Sequence, residues 1–121
     1  MRVCVLTQDE EMSALLRQGI PHATVEAFPT GDRLIESITA PGIERPRFVF
    51  IDLTSAPDGI RALNFIKGSS SIRRIPLITI RHLGDRDQTM EGTQGDGALH
   101  FPFAAGEVAE LVIRMSQRPR W

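Results

Sequence analysis

Phe48-Val49-Phe50-Ile51-Asp52 is the most apolar run of the sequence, and it ends directly on a carboxylate. Continuous apolar runs of this length are typical of parallel strands that helices cover on both faces. The carboxylate then lies at the carboxyl end of a central strand, where a half-buried charge needs a partner or a task. The run therefore predicts a parallel α/β sheet and makes Asp52 the first candidate site residue; a plain loop cap is the alternative role.

Shorter apolar runs and helical patterns alternate on either side of this strand. The apolar runs predict four more strands, at 3–6, 24–28, 75–80 and 98–101. Apolar residues with helical spacing predict helices at about 10–20, 30–40, 59–68 and 108–115, and a short or frayed one in the glycine-rich segment 83–97. This alternation predicts a (βα)5 domain, a doubly wound parallel sheet with right-handed crossovers and helices on both faces.

The composition indicates one small domain in a reducing compartment. Of the 121 residues, 41% are apolar and 24% are charged, as in ordinary globular domains. We assign the domain to 1–117 and expect 118–121 to be a flexible tail. The net charge of −1 argues against nucleic acid or an anionic membrane as a partner, and no apolar stretch approaches the roughly 20 residues of a membrane span. A single Cys forms no internal disulfide, so we expect a cytoplasmic protein.

The polar residues that follow the predicted strands are the candidates for a functional site. In an open parallel sheet, the working site lies at the carboxyl ends of the strands. Thr7-Gln8-Asp9 follow the first strand, Asp52 ends the third, Arg81 follows the fourth and Phe101-Pro102 end the fifth. We expect Asp9 to cap the first helix, because Asp is a favoured N-cap residue; a displaced metal ligand is its alternative role.

These positions resemble those of a response-regulator receiver domain, over essentially the whole chain. In that family the phosphoacceptor Asp ends the third strand, as Asp52 does here. A Pro-Asp-Gly turn follows, matching Pro57-Asp58-Gly59, and the fourth strand opens with Ile75-Pro76. The fifth strand ends in Lys-Pro-Phe, which is Phe101-Pro102-Phe103 here. The resemblance implies the CheY-like (flavodoxin-like) strand order 2-1-3-4-5 and favours a cis Phe101–Pro102 peptide.

The departures from the family pattern concern the residues that carry its chemistry. Thr7 and Gln8 replace the acidic pair that holds Mg²⁺, a cation that prefers carboxylates. Arg81 replaces the Thr or Ser of the fourth strand, Phe101 the Lys, and Ala98 the aromatic switch residue. The resemblance therefore implies a degenerate receiver, or pseudo-receiver, that keeps the fold without the reaction. We expect no enzyme activity, no metal and no cofactor; Mg²⁺ belongs only to the alternative described below.

Asp52 then needs another partner, and Arg81 is the predicted one. The two residues end neighbouring strands, and a guanidinium pairs well with a carboxylate. We predict a pocket around Asp52 that contains Asp9, Arg81 and Pro102; an Arg81 directed to solvent is the alternative. We expect His82 at the surface beside this pocket.

The remaining reactive side chains are expected to be structural. His22, His82 and His100 lack metal-ligand spacing. Cys4, within the first strand, is expected to be a core residue rather than a nucleophile.

Three functions are consistent with these residues. The first is a signalling module of two-component type that acts by protein–protein interaction, with a histidine kinase, a phosphotransfer protein or another regulator as its partner. It includes a homodimer through the face of the fourth helix, fifth strand and fifth helix. The second is a phosphoacceptor receiver in which Gln8, Asp9 and a backbone oxygen hold Mg²⁺ beside Asp52. The third, a flavodoxin-like cofactor binder, is disfavoured because Asp9, Glu10 and Glu11 would repel a phosphate.

Overall fold

The computed structural model describes residues 1–55, 58–82 and 95–117. One sheet holds five parallel strands in the order β2-β1-β3-β4-β5. The strands are β1 (Arg2–Leu6), β2 (Thr24–Phe28), β3 (Phe48–Asp52), β4 (Leu77–His82) and β5 (Gly97–Phe101). The helices in the described part of the chain are α1 (Glu10–Gly19), α2 (Gly31–Thr39), α3 (Gly59–Gly68) and α4 (Ala105–Ser116). The predicted α/β class and strand order are confirmed. The helix predicted within 83–97 falls largely outside the described residues, as does the predicted tail 118–121.

Two apolar layers explain why the β3 sequence is apolar without interruption. Phe48 and Phe50 point to one face of the sheet, which α1 and α4 cover, and Val49 and Ile51 point to the other, which α2 and α3 cover. All four side chains are fully buried. Asp52 has the same parity as Phe50, so β3 delivers its carboxylate to the α1 side of the carboxyl edge of the sheet.

Helices α1 and α2 each begin at a residue whose side chain caps the helix. The Asp9 carboxylate accepts hydrogen bonds from the backbone N–H groups of Glu11 and Met12, at 3.0 and 3.4 Å. This confirms that Asp9 is the N-cap of α1. Thr30 caps α2 in the same way, accepting from the Arg33 amide at 3.3 Å.

The boundaries of β4 differ from the prediction by two residues at each end. The strand was expected at 75–80 and spans Leu77–His82. Pro76 lies before it, where the proline carbonyl accepts from the Val49 amide at 3.0 Å and the missing proline N–H costs no ladder bond. Arg81 and His82 therefore belong to the strand, paired in register with His100 and Phe101.

Asp58 joins the start of α2 to the start of α3. Its two carboxylate oxygens accept from the Gly31 amide at 2.9 and 2.8 Å. A Cβ on Gly31 would lie 2.9 Å from Asp58 Oδ2 and 3.0 Å from the Ala62 Cβ, so a larger residue would displace this carboxylate or its neighbour. The Gly31 hydrogen bond, assisted by Arg61, lowers the pKa of Asp58 below its ordinary value of 3.8.

The lowered pKa gives this contact a pH dependence. Its contribution to stability is present above pH 3.8 and is lost as the pH falls through the lower pKa of the folded state. We expect wild-type protein to have a higher Tm than Asp58→Asn at pH 6, and the difference to shrink steadily below pH 4. Asn keeps an acceptor for the Gly31 amide and loses only the charge. Thermal unfolding followed by circular dichroism measures both proteins; a difference independent of pH would contradict the assignment.

No helix in the described part of the chain is long and apolar enough to cross a membrane.

Candidate functional site

The Asp52 carboxylate is fully buried and accepts hydrogen bonds at both oxygens. Its relative exposure is 0%. Oδ2 accepts from the Thr7 hydroxyl at 2.8 Å and from the Ser55 hydroxyl through a short contact. Oδ1 accepts from the backbone N–H groups of Thr54 and Ser55 at 3.0 and 3.2 Å. Because a carboxylate offers about four lone-pair sites, these four protein donors satisfy it.

The two hydroxyl groups connect Asp52 to the loop after β1. Thr7 Oγ1 accepts from the Asp9 amide at 3.0 Å, and Ser55 Oγ accepts from the Gln8 amide at 3.1 Å. Backbone N–H groups of one loop thus donate to hydroxyls, which in turn donate to the carboxylate. This network holds the loop after β1 against the loop after β3.

The residues that would hold Mg²⁺ in the alternative function make other contacts. Thr7 is buried at 4% exposure within the network. The exposed Gln8 side chain donates to the Pro29 carbonyl at 3.1 Å, and Asp9 caps α1. Within 1–55, 58–82 and 95–117, no three His, Cys, Asp or Glu side chains come together as a metal site. Gln8 and Asp9 are therefore turned to local structural contacts rather than to Asp52.

His82, rather than Arg81, is the basic side chain at Asp52. His82 Nε2 lies 3.5 Å from Asp52 Oδ1, a contact that becomes an ion pair when the imidazole is protonated. The expected surface position of His82 is corrected, since its side chain is only 26% exposed. The predicted pairing of Arg81 with Asp52 is also corrected, because the two side chains lie on opposite faces of the sheet. Side chains alternate along β4, so Arg81 belongs with Leu77 and Thr79 on the opposite face, whereas His82 follows Ile80 toward Asp52.

Aromatic rings form the β5 side of the pocket. The Phe101 ring lies against His82 with ring centroids 5.0 Å apart, and Phe103 meets Phe101 edge-on at 5.6 Å. Phe101 thus places an apolar ring where the resemblance implies a Lys. The Phe101–Pro102 peptide is cis, as predicted. Pro102 itself is exposed, so it lies at the rim and not inside the pocket.

Ala98 lies on the outer face of β5. Its register partner on β4 is Thr79, and Ala98 is exposed. A methyl group therefore occupies the position that the resemblance assigns to a switch aromatic.

Sequence reasoning missed the donors from Thr54 and Ser55. The signal is present in the sequence, because an Asp followed two and three residues later by Thr and Ser favours a turn in which the carboxylate accepts from those backbone amides. The alternative of a loop cap for Asp52 is therefore part of the observed arrangement.

Cys4 is structural, as predicted. It is fully buried in β1, and burial raises the pKa of its thiol to about 11. At neutral pH the group is a protonated thiol, which is a poor nucleophile.

Solved receiver domains are similar to this chain throughout its length. The receiver domain of a signal transduction histidine kinase from Syntrophus aciditrophicus has a TM-score of 0.78 at 18% identity, over 94% of this chain and 88% of its own. The receiver domain of NtrX from Brucella abortus has a TM-score of 0.75 at 18% identity, over 96% and 99%. The phosphorylated cyanobacterial phytochrome response regulator RcpA has 0.73 at 14%, over 96% and 91%.

The chain has the receiver-domain fold. At 14 to 18% identity, the likeness to these structures establishes the fold and not the function. No protein-family model matches the chain, and no curated protein matches its sequence. The function must therefore be argued from the residues around Asp52.

Proposed function

We propose that this chain is a pseudo-receiver, a cytoplasmic module of two-component-type signal transduction that acts through protein–protein contacts without Mg²⁺-dependent phosphorylation of Asp52. The observation that carries the proposal is the buried Asp52 carboxylate, with four protein donors on its two oxygens. The receiver fold of the neighbouring structures supports the signalling role.

Phosphoryl transfer to Asp52 would need features that this pocket does not favour. An attacking carboxylate oxygen must approach phosphorus, and a cation must neutralise the phosphoryl oxygens. Here both oxygens are hydrogen-bonded and out of contact with solvent. Phe101 offers an apolar ring beside the pocket in place of a cation.

The hydroxyl network supports a single resting conformation. Thr7 and Ser55 bridge the loops after β1 and β3, which a shared cation would otherwise draw together. His82 adds a basic group 3.5 Å from Asp52 that needs no metal. The module would then present one surface to its partner at all times, independent of phosphorylation.

A histidine kinase, a phosphotransfer protein or another regulator is the partner we propose. The contact surface is the face of β5, α4 and the helix predicted in 83–97, where Ala98 and His100 are exposed and Ile113 of α4 is 58% exposed. A homodimer through the same face is part of the proposal. An exposed apolar side chain such as Ile113 suits a modest protein interface.

The alternative, a phosphoacceptor with Gln8 and Asp9 as metal ligands, is less well supported. Gln8 donates to the Pro29 carbonyl, and the Asp9 carboxylate is used by the first amides of α1. Both side chains would have to leave these contacts to bind Mg²⁺ at Asp52.

Intact-protein mass spectrometry after incubation with acetyl phosphate and Mg²⁺ tests the proposal. We expect an unchanged mass, beside a receiver with a complete acidic pair that gains a phosphoryl group under the same conditions. A gain of one phosphoryl group that disappears in Asp52→Asn would contradict the proposal and favour the alternative.

A further inference from the structure

A cavity of about 410 Å³ lies at the amino-terminal edge of the sheet, opposite the edge that holds Asp52. It lies where β1, β3 and β4 begin, between the loop that leads into β3 and the loop that leads into β4. Its apolar lining comes from Met1, Pro46, Ile72, Ile75 and Pro76. A volume of this size is within the range of small-molecule sites, which combine apolar walls with a few charged groups.

The charged lining of this cavity is predominantly cationic. Arg2, Arg45, Arg47 and Arg74 line it, against the single carboxylate of Glu44. The whole chain is nearly neutral, with 14 Lys and Arg against 15 Asp and Glu, so the positive charge is local. Arginine forks bind carboxylate and phosphate groups through paired hydrogen bonds.

Two of these arginines are committed to the protein and shape the cavity. Arg2, with a side chain only 8% exposed, donates to the Glu26 carboxylate at 2.9 Å and to the Glu44 carbonyl at 2.8 Å. Arg45 donates to the Ser71 carbonyl across the cavity. These contacts fix the two loops relative to each other and to β1. Arg2 and Arg45 are therefore positioning residues.

The other two arginines are uncommitted. Arg47 and Arg74 are exposed, and their guanidinium groups make no hydrogen bond or ion pair with the residues that the structure describes. Like charges gathered around one cavity repel each other, and a bound anion would relieve that repulsion. Arg47 and Arg74 are therefore available to bind a ligand, while Arg2 and Arg45 hold the walls of the cavity in place.

We propose that this cavity binds a small, multiply charged anion, a phosphorylated or polycarboxylate compound, with Arg47 and Arg74 as the residues that contact it. The site goes beyond the proposed signalling role and does not depend on it. It would allow the domain to respond to a small charged metabolite at the edge opposite Asp52.

Isothermal titration calorimetry with pyrophosphate and with citrate tests this site in its two chemical forms. We expect saturable binding of at least one probe, weakened when NaCl is raised because the contacts are ionic. Binding of pyrophosphate would indicate a phosphorylated ligand, and binding of citrate would indicate a polycarboxylate. In Arg47→Gln/Arg74→Gln the affinity should fall at least tenfold, while Arg33→Gln/Arg114→Gln, an equal loss of two charges at exposed positions on α2 and α4, should leave it within twofold.

Circular dichroism confirms that each variant is folded, which is expected because the substituted side chains are exposed. Absence of saturable binding for both probes at millimolar concentration would overturn the proposal. An equal loss of affinity in Arg33→Gln/Arg114→Gln and in Arg47→Gln/Arg74→Gln would do so too, because binding would then reflect overall charge.

Discussion

Replacing Asp52 with alanine is expected to lower the free energy of unfolding by about 3 kcal/mol. The substitution removes the acceptor for two hydroxyls and two backbone amides in a buried pocket. Each buried donor left without an acceptor costs roughly 1–3 kcal/mol, and water entering the space left by the carboxylate recovers part of that cost. Chemical denaturation in urea measures the change.

The sign of this change distinguishes a carboxylate held by hydrogen-bond donors from one that lies among other carboxylates. In a site crowded with other carboxylates, removing one charge relieves repulsion and stabilises the protein. Here the neighbours of Asp52 are hydrogen-bond donors, so its removal should destabilise.

Asp32→Ala is the matched control for this measurement. The Asp32 side chain is 76% exposed and pairs with Arg61 on the surface, and such pairs contribute about 0–1 kcal/mol. Asp52→Asn should lie between alanine and wild type, because it retains one acceptor oxygen while its amide can donate to a rotated hydroxyl. An Asp52→Ala protein as stable as Asp32→Ala, or more stable than wild type, would contradict the account.

Restoring the acidic pair should create a magnesium dependence that the wild-type protein lacks. In Thr7→Asp/Gln8→Asp, a carboxylate replaces the hydroxyl that lies 2.8 Å from Asp52 Oδ2. Two carboxylates at that distance repel, so we expect the variant to melt below wild type in the absence of metal. Mg²⁺ at about 100 times its Kd should restore roughly 2.7 kcal/mol by mass action. The Tm of the wild-type protein should not respond to Mg²⁺.

Gln18→Glu provides the control for added charge. Gln18 is exposed on α1, so this change adds a carboxylate without placing it near Asp52. Its Tm should be insensitive to Mg²⁺. A wild-type Tm that rises saturably with Mg²⁺ would contradict the claim that the acidic pair is what this site lacks. A double variant without any response would show that Asp52 is not placed to share a metal.

The fold could be predicted from the sequence because its signals are local. The apolar run 48–51 has both of its faces covered by helices, and the sequence around Asp9 contains an N-cap that the structure confirms. The cis Phe101–Pro102 bond followed from the resemblance and is also confirmed.

The partner of Asp52 was not predictable from the same signals, because it depends on strand boundaries. The predicted strand ended at residue 80, so Arg81 was expected in the loop that follows, where its side chain could reach Asp52. The strand extends to His82, and alternation then assigns Arg81 and His82 to opposite faces. Because side chains alternate between the two faces of a strand, neighbouring residues such as Arg81 and His82 lie on opposite faces of the sheet. The donors from Thr54 and Ser55 were missed because the prediction treats Asp52 as a half-buried charge that needs a side-chain partner, whereas the backbone of the turn that begins at Asp52 supplies half of its donors.

The most direct test of the central claim is the ¹H–¹⁵N spectrum of the wild-type protein titrated with beryllofluoride and Mg²⁺. The amides of Thr54 and Ser55 donate to Asp52, so they report any group that binds its carboxylate. We expect both signals to keep their positions throughout the titration, while those of a receiver with a complete acidic pair shift and saturate. Saturable shifts of the Thr54 and Ser55 amides, abolished by Asp52→Asn, would contradict the account.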